Sequence, residues 1–417
     1  MGQKPENKPC VAPLENSAQQ YAWGDTGGIV PFIEASAGPG FPIGEVWMGS
    51  HERAPSGLVI GGAVRPLDEL IREEPRHWLG EHTAARFRDM PYLFKVLAAS
   101  TPLSLQVHPN HSQAHEGFDR EELSGLPRSA PERTFKDPRH KPELAVALTP
   151  FTAMAGFRSP EEVARLLGPA LAERLGFSVR RPEDFREFIR RIFSLRPENY
   201  GELERTLTAR ARELAGADTA RERGAGTLVL ELQELYPHDS GQFGPLLFDI
   251  LNMRPGEALY VPAGVIHAYV RGSILEIMAC SDNVIRAGLT IKYVDVGLLC
   301  DILDPAAVPA LVSPELMRTD WGERAVYHTP AEEFRLEKLT AGAPGGSRLE
   351  LEVEGPEILL CTEGSFSIRE GENRGRLSPS PPKLFAARQT RFVAGACRAV
   401  TLEGSGTIWR AAVGWLA

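Results

Sequence analysis

The chain lacks several things at once. None of its ten histidines lies beyond His328, so the C-terminal part cannot hold an imidazole-based metal site of its own. Its five cysteines, at 10, 280, 300, 361 and 397, form no CxxC pair, and the odd count argues against a disulfide framework. No apolar run reaches the roughly 20 residues of a membrane helix. The polar start "MGQKPENKPCVAPLENSAQQ" carries no signal-peptide core, and Gly2 lacks the Ser/Thr of a myristoylation motif. Runs of Lys/Arg are missing too, and the net charge of -9 is modest, which argues against a nucleic-acid or membrane surface. These absences predict a reduced, cytoplasmic protein.

What is present is ordinary in bulk: 417 residues, 42% apolar and 24% charged. That length calls for two or three domains. "PYLFKVLAAS" and "TPLSLQVHP" predict two strands joined by a tight turn. "HKPELAVALTPFTAMAGF" continues as a largely buried strand. Ser159 with Glu162, and Pro160 at the first helical position, predict a capped helix start. Phe185, Phe188, Ile189 and Ile192 fall at helical spacing, and "YGELERTLTARARELA" is amphipathic, so 158–237 reads as a helical insert. Strands return over 238–320, and 321–417 is again β-rich. No repeat of 20–50 residues is evident.

The most specific local pattern is "GEALYVPAGVIH", with Gly256, Pro262, Gly264 and His267. It resembles the second motif of the cupins, small jelly-roll barrels in which a strand meets a Pro/Gly turn and the returning strand aims one imidazole inward. Arg271 stands where that motif ends in Asn. A metal site needs partners for the imidazole. Gln106 and His108 alternate on one strand face and point into one lumen. The usual cupin carboxylate position holds Ser112 or Gln113, while Glu143 could supply a carboxylate from the next strand. Two neutral imidazoles, an amide oxygen and a carboxylate leave a divalent cation electrophilic, as in a catalytic zinc site. His111 and His115 read differently. Asn110 has N-cap character, and "HSQAHEGF" predicts a surface helix with solvated histidines.

"YAWG" (21–24), "GEVWMGSHERAPS" (44–56), "PYLFKVLAASTPLSLQVHPN" (91–110), "HKPELAVAL" (140–148) and "SDNVIRAGLTIKYVDV" (281–296) resemble, in that order, the type I phosphomannose isomerases. The resemblance spans roughly 15–157 and 240–305. It implies a mainly β protein: a catalytic cupin from 1–157 and 238–320, the 158–237 helical insert, and a C-terminal cupin-like domain over 321–417. It implies one zinc ion per chain, held by Gln106, His108, Glu143 and His267, with Arg286 as a catalytic arginine beside it. The implied substrates are mannose 6-phosphate and fructose 6-phosphate, in a monomer serving carbohydrate metabolism and GDP-mannose biosynthesis. Two departures stand out. Ile291-Lys292-Tyr293-Val294-Asp295 replaces a Pro-Lys-Phe-Arg-Asp stretch, and His111 stands where the family often has lysine.

Aldose–ketose chemistry passes through an enediol whose charge grows on oxygen, so a cation and a guanidinium at the oxygens would stabilise it selectively. A proton carrier is also required. Glu276, on a strand expected beside that of His267, and Lys141, sharing a face with Glu143, are the candidates. Lys95, Ser104 and Lys292 are candidates for the phosphate at the pocket rim. Two other readings fit these residues. An Fe(II) cupin dioxygenase would use His108, His267 and Glu143, though Gln106 as a fourth ligand removes a position that oxygen chemistry needs. A non-enzymatic sugar-phosphate-binding cupin would need no proton carrier.

Overall fold

A computed structural model describes residues 8–34, 42–195, 200–342, 348–373, 376–377 and 381–414. Strands fall into two antiparallel sheets, of 11 and 12 members. In chain order, β1 is Val11–Glu15, β2 Ile43–Met48, β3 Tyr92–Ala99 and β4 Leu105–Val107, followed by helix α1, His111–Leu123. Strands β5, Glu143–Ala147, and β6, Phe151–Phe157, precede four helices: α2 Pro160–Leu175, α3 Phe185–Phe193, α4 Tyr200–Ala215 and α5 Ala220–Leu235. Then come β7 Phe248–Met253, β8 Ala258–Val261, β9 His267–Ala279 and β10 Ile285–Gly288. In the C-terminal part, β11 is Glu357–Asn373, β12 Thr390–Val393 and β13 Ala399–Ala412.

Every residue of β3 is buried, because both faces of this sheet are covered, the situation that replaces alternation by a continuous apolar run. Tyr92, Phe94, Val96 and Ala98 pack with Leu336, Ile358, Leu360 and Trp409 of the C-terminal barrel. Leu93, Lys95 and Leu97 face a cavity inside the catalytic barrel. The Tyr92 hydroxyl donates to carbonyls of Pro356 and Ala411, at 2.9 and 3.0 Å, so the two barrels share one core and its polar fastenings. On the opposite wall, Leu105, Val107, Ala268, Val270, Ile285 and Ala287 join the core of the helical insert. That insert begins as expected. The Ser159 side chain accepts from the Glu162 amide at 3.2 Å, and Pro160 opens the helix.

The structure corrects several expectations. β3 and β4 form no hairpin: β3 lies between β2 and β9, whereas β4 pairs with β9 and β10. The single strand expected after Lys141 is two, β5 and β6. β8 and β9 flank the Pro/Gly turn without pairing, since β5 lies between them. Gly264 is required there: it has φ +80°, and a Cβ would come within 2.8 Å of Asp304. Its amide donates to the His108 carbonyl at 2.9 Å. His267 and Glu276 share β9 instead of occupying neighbouring strands. Nine positions apart, they would face opposite sides of a regular strand, but a bulge between Tyr269 and Arg271 shifts the register. Gly272, at φ +106°, accommodates the bend where a Cβ would lie 2.4 Å from the Pro150 carbonyl oxygen. One inserted residue exchanges the faces, and both carboxylate and imidazole point inward. Arg271, at the bulge, pairs with Glu231 of α5.

The domain division differs at both ends of the catalytic barrel. β1 pairs with β12 through Val11 and Val393, so the first residues complete the C-terminal sheet and not the catalytic one. Ala310–Val312 still pairs with β8, while Glu315–Arg318 already belongs to the C-terminal sheet. Val11, Ala12 and Leu14 are buried, but nothing local in "VAPLE" says which sheet buries them.

Candidate metal centre and active-site pocket

β4 sends Leu105 and Val107 to the helices and Gln106 to the lumen, with His108 just beyond it. β9 contributes His267 and β5 opens with Glu143. One ligand atom each from His108, His267 and Glu143 lies within 4.8 Å of the other two, and all three residues are buried. Nδ1 of His108 is 2.8 Å from the Asn283 carbonyl, and Nδ1 of His267 is 3.0 Å from that of Val265. Each Nδ1–H therefore donates, which leaves the Nε2 lone pair facing inward. Both Nε2 atoms turn to Glu143, at 3.1 and 3.3 Å. The Gln106 amide lies 3.4 Å from His267 Nε2, and a half-turn of that amide exchanges its nitrogen for a donor oxygen. Such a converging N, N, O, O set suits a divalent cation of zinc type.

Charge conditions agree with that fit. Burial opposes ionisation of Glu143, but Lys141, 2.5 Å away, and His108 outweigh it and hold the carboxyl well below its usual range. Burial, and then the Lys141 charge, bring the His108 pKa down to about 4. At neutral pH the group is thus a neutral imidazole, the form that ligates.

A second run of buried charge lies beneath the centre. Lys95 is only 7% exposed, so it sits at the floor of the cavity and not at the rim expected of it. Its Nζ lies 2.5 Å from Glu276 and 3.2 Å from Glu45. Burial alone would lower the Lys95 pKa, but Glu276 and Glu45 raise it. Glu276 is raised by burial, against Lys95 and with the help of Glu143. The Tyr269 hydroxyl donates to Glu276 at 2.7 Å and reaches Glu143 at 3.4 Å, which links the two carboxylates. Tyr269→Phe removes that link. We expect metal affinity or turnover to fall about 10–100-fold, the usual scale for a group that orients ligands. Chelator competition and steady-state kinetics would reveal it, and an unchanged variant would leave Tyr269 a packing residue.

All of this opens on one cavity of about 610 Å³. Tyr21 and Trp23, stacked with ring centroids 4.9 Å apart, form an aromatic wall. Ser104 and Lys292 line it as expected, Lys292 being exposed. Arg286, whose Cα pairs with that of Gln106, is half-buried, and burial alone depresses its pKa, with no carboxylate contributing. Lys292 is depressed by partial burial, then by Arg286 and Arg53. The cavity lining therefore combines the candidate metal ligands with an excess of cations over carboxylates. Sequence reasoning missed Tyr269, which stands two positions after His267 on the same face. It also missed Asn283, whose side chain grips the carbonyls of Asp137 and Arg139 ahead of Lys141 at 2.7 and 2.8 Å.

Paired β-barrels with an interrupted first barrel and a buried two-histidine, one-carboxylate centre define a metal-dependent enzyme of the cupin class. Comparison with known proteins narrows this. Residues 11–160 match phosphomannose isomerase type I, catalytic domain. The chain is 34% identical over 404 residues to the mannose-6-phosphate isomerase of Shigella flexneri, covering 95% of this chain and 98% of that one. To the human mannose-6-phosphate isomerase it is 32% identical over 392 residues, 86% and 88% of the two chains. A crystal structure of a phosphomannose isomerase variant from Salmonella typhimurium superposes with TM-score 0.85 at 31% identity, covering 97% of this chain and 100% of that one. A zinc-bound mannose 6-phosphate isomerase superposes at 0.84, also at 31% identity and with the same coverage. The chain belongs to the type I phosphomannose isomerase family.

Proposed function

We propose that the protein interconverts mannose 6-phosphate and fructose 6-phosphate through an enediol, with one zinc ion held by Gln106, His108, Glu143 and His267. The observation that carries this reading is a single cavity lined by converging metal ligands and, beside Gln106, by a guanidinium, Arg286, that no carboxylate among the described residues compensates. Zinc supplies Lewis acidity at the substrate oxygens when bound.

Arg286 lines the same space, with no ion pair to its fork among the described residues, suited to an oxygen that gains negative charge. Lys141 and Glu276 are the proton carriers this geometry offers, at either side of Glu143. Lys95 positions Glu276 and neutralises its charge, so its role is in the barrel floor. Ser104 and Lys292, nearer the mouth, hold the phosphate, and the Tyr21–Trp23 wall excludes water from the sugar. The five cysteines are free thiols, and no helix of the described residues is long and apolar enough to cross a membrane. Free thiols suit a reducing compartment such as the cytoplasm.

A phosphate held away from the reacting carbons orients them. Free mannose should therefore turn over at least about 10³-fold less efficiently than mannose 6-phosphate, the equivalent of losing roughly 4 kcal/mol of oriented binding. Comparison of kcat/KM for the two sugars decides it: near-equal values would overturn the assignment. A requirement for O₂ would point to an iron oxygenase. Saturable sugar-phosphate binding without isotope exchange at C2 would point to a non-catalytic binder.

A further inference from the structure

The catalytic ligands do not exhaust the clustered metal-ligating side chains. His111 opens α1, His140 precedes Lys141, and Glu333 comes from the C-terminal domain. Their ligand atoms also lie within 4.8 Å of one another. The two imidazoles stack, with centroids 3.5 Å apart, and His140 Nε2 is 2.6 Å from Glu333 Oε1. Glu333 is only 9% exposed, and its other oxygen, Oε2, is buried with no hydrogen-bond partner. A buried carboxylate oxygen without a donor is costly unless a cation or water answers it. Burial would favour the neutral acid, but the hydrogen bond from His140 and its nearby charge hold Glu333 ionised. Arg86, whose charge reaches His111, is paired with the neighbouring Glu332, and Oε2 stays unanswered.

We propose that His111, His140 and Glu333 form a second transition-metal site, for a borderline divalent cation such as Zn²⁺ or Ni²⁺. Two imidazoles and one carboxylate are the donor types that select such ions over Mg²⁺ or Ca²⁺. A modest rotation of the exposed His111 ring frees both imidazoles from stacking to ligation, and its solvent side leaves room for water ligands. The site joins three places in the fold: the start of α1, three residues beyond the ligand His108; the loop three residues before the ligand Glu143; and the C-terminal barrel. An ion there fastens the second barrel to the segments that deliver two catalytic ligands. Counting histidines in the C-terminal domain could not reveal it, because that domain contributes only the carboxylate.

The test is metal stoichiometry and stability on tag-free, catalytically loaded protein. Titrated with Ni²⁺ or Zn²⁺ and followed by calorimetry and elemental analysis, the wild type should take up a second equivalent per chain and raise its Tm. His111→Ala and Glu333→Gln should each lose that equivalent and the Tm response while they retain the first ion and mannose 6-phosphate turnover. His111 is exposed, so its variant tests the site without a folding risk. The converse variant, His267→Ala, should lose the first ion and keep the second, which separates this site from the catalytic one. A wild type that saturates at one equivalent, or a His111→Ala protein that still takes up two, would refute the proposal.

Discussion

Arg286→Ala should keep its metal and its fold yet lose turnover by about 10²–10³-fold, the scale seen when one preorganised donor to a developing oxyanion is removed. The guanidinium reaches the cavity from β10, beside Gln106 but outside the cluster of ligand atoms, so its removal leaves the centre intact. It is half-buried and no carboxylate offsets its charge, an arrangement that gains most when negative charge appears opposite it. Its kcat should fall more than its KM rises, the pattern of an interaction made mainly in the transition state. Arg286→Lys should recover little, because a point charge lacks the planar fork. Metal content and steady-state kinetics on both variants provide the check. A variant with wild-type kcat and a raised KM would make Arg286 a phosphate anchor instead.

His267→Ala should be more severe. It removes the one ligand that contacts both Gln106 and Glu143, and with it the Lewis acid, worth several kcal/mol and so at least about 10³-fold in rate. Exhaustive chelation of the wild type should do the same, with Zn²⁺ restoring activity. The fold should survive, since the shared core around Phe94, Leu275, Ile358 and Trp409 does not depend on the ion. Circular dichroism and elemental analysis separate the outcomes. A His267→Ala protein that retains both the catalytic ion and its activity would remove His267 from the centre.

The cluster of candidate ligands His108, Glu143 and His267 was legible because chemistry and strand period coincide there. Gln106 and His108 are polar at positions where a doubly buried strand should be apolar, and the Pro/Gly turn announces His267. The helical insert was legible for the same reason, a clear period with a clear cap at Ser159. What failed was pairing and depth. Lys95 reads as a rim residue because lysine is ordinarily solvated. Only the barrel's closure, with Glu45 and Glu276 from flanking strands, makes a buried lysine tolerable. The side of β9 that Glu276 occupies depends on a bulge, and one extra residue inverts any parity argument. Tyr269 gave no signal, because tyrosine is common in strands and one of its hydroxyl partners, Glu143, lies far away in sequence. The partner of β1 is the extreme case, since nothing local in eleven to fifteen names a strand near the other terminus.

That last pairing has a consequence for how the chain comes into being. The Thr390 hydroxyl donates to the Leu14 carbonyl, 376 positions away. One edge of β1 pairs early, with Gly57–Ile60, but its other edge must wait until Val393 of β12 has been made. All four proposed catalytic ligands are synthesised by residue 267, so the first barrel can begin to gather them while the second is still unmade. Until the closing strands arrive, however, the core around Tyr92, Phe94 and Val96 lacks Leu336, Ile358, Leu360 and Trp409, although Leu70 and Trp78 are already made. Contacts this distant in sequence make closure slow and leave apolar strands open to wrong partners meanwhile. Nascent chains should accordingly stay dependent on chaperones until the C-terminus is free. Loss of even the final strand, β13, should deprive the first barrel of its cover although no catalytic residue is touched.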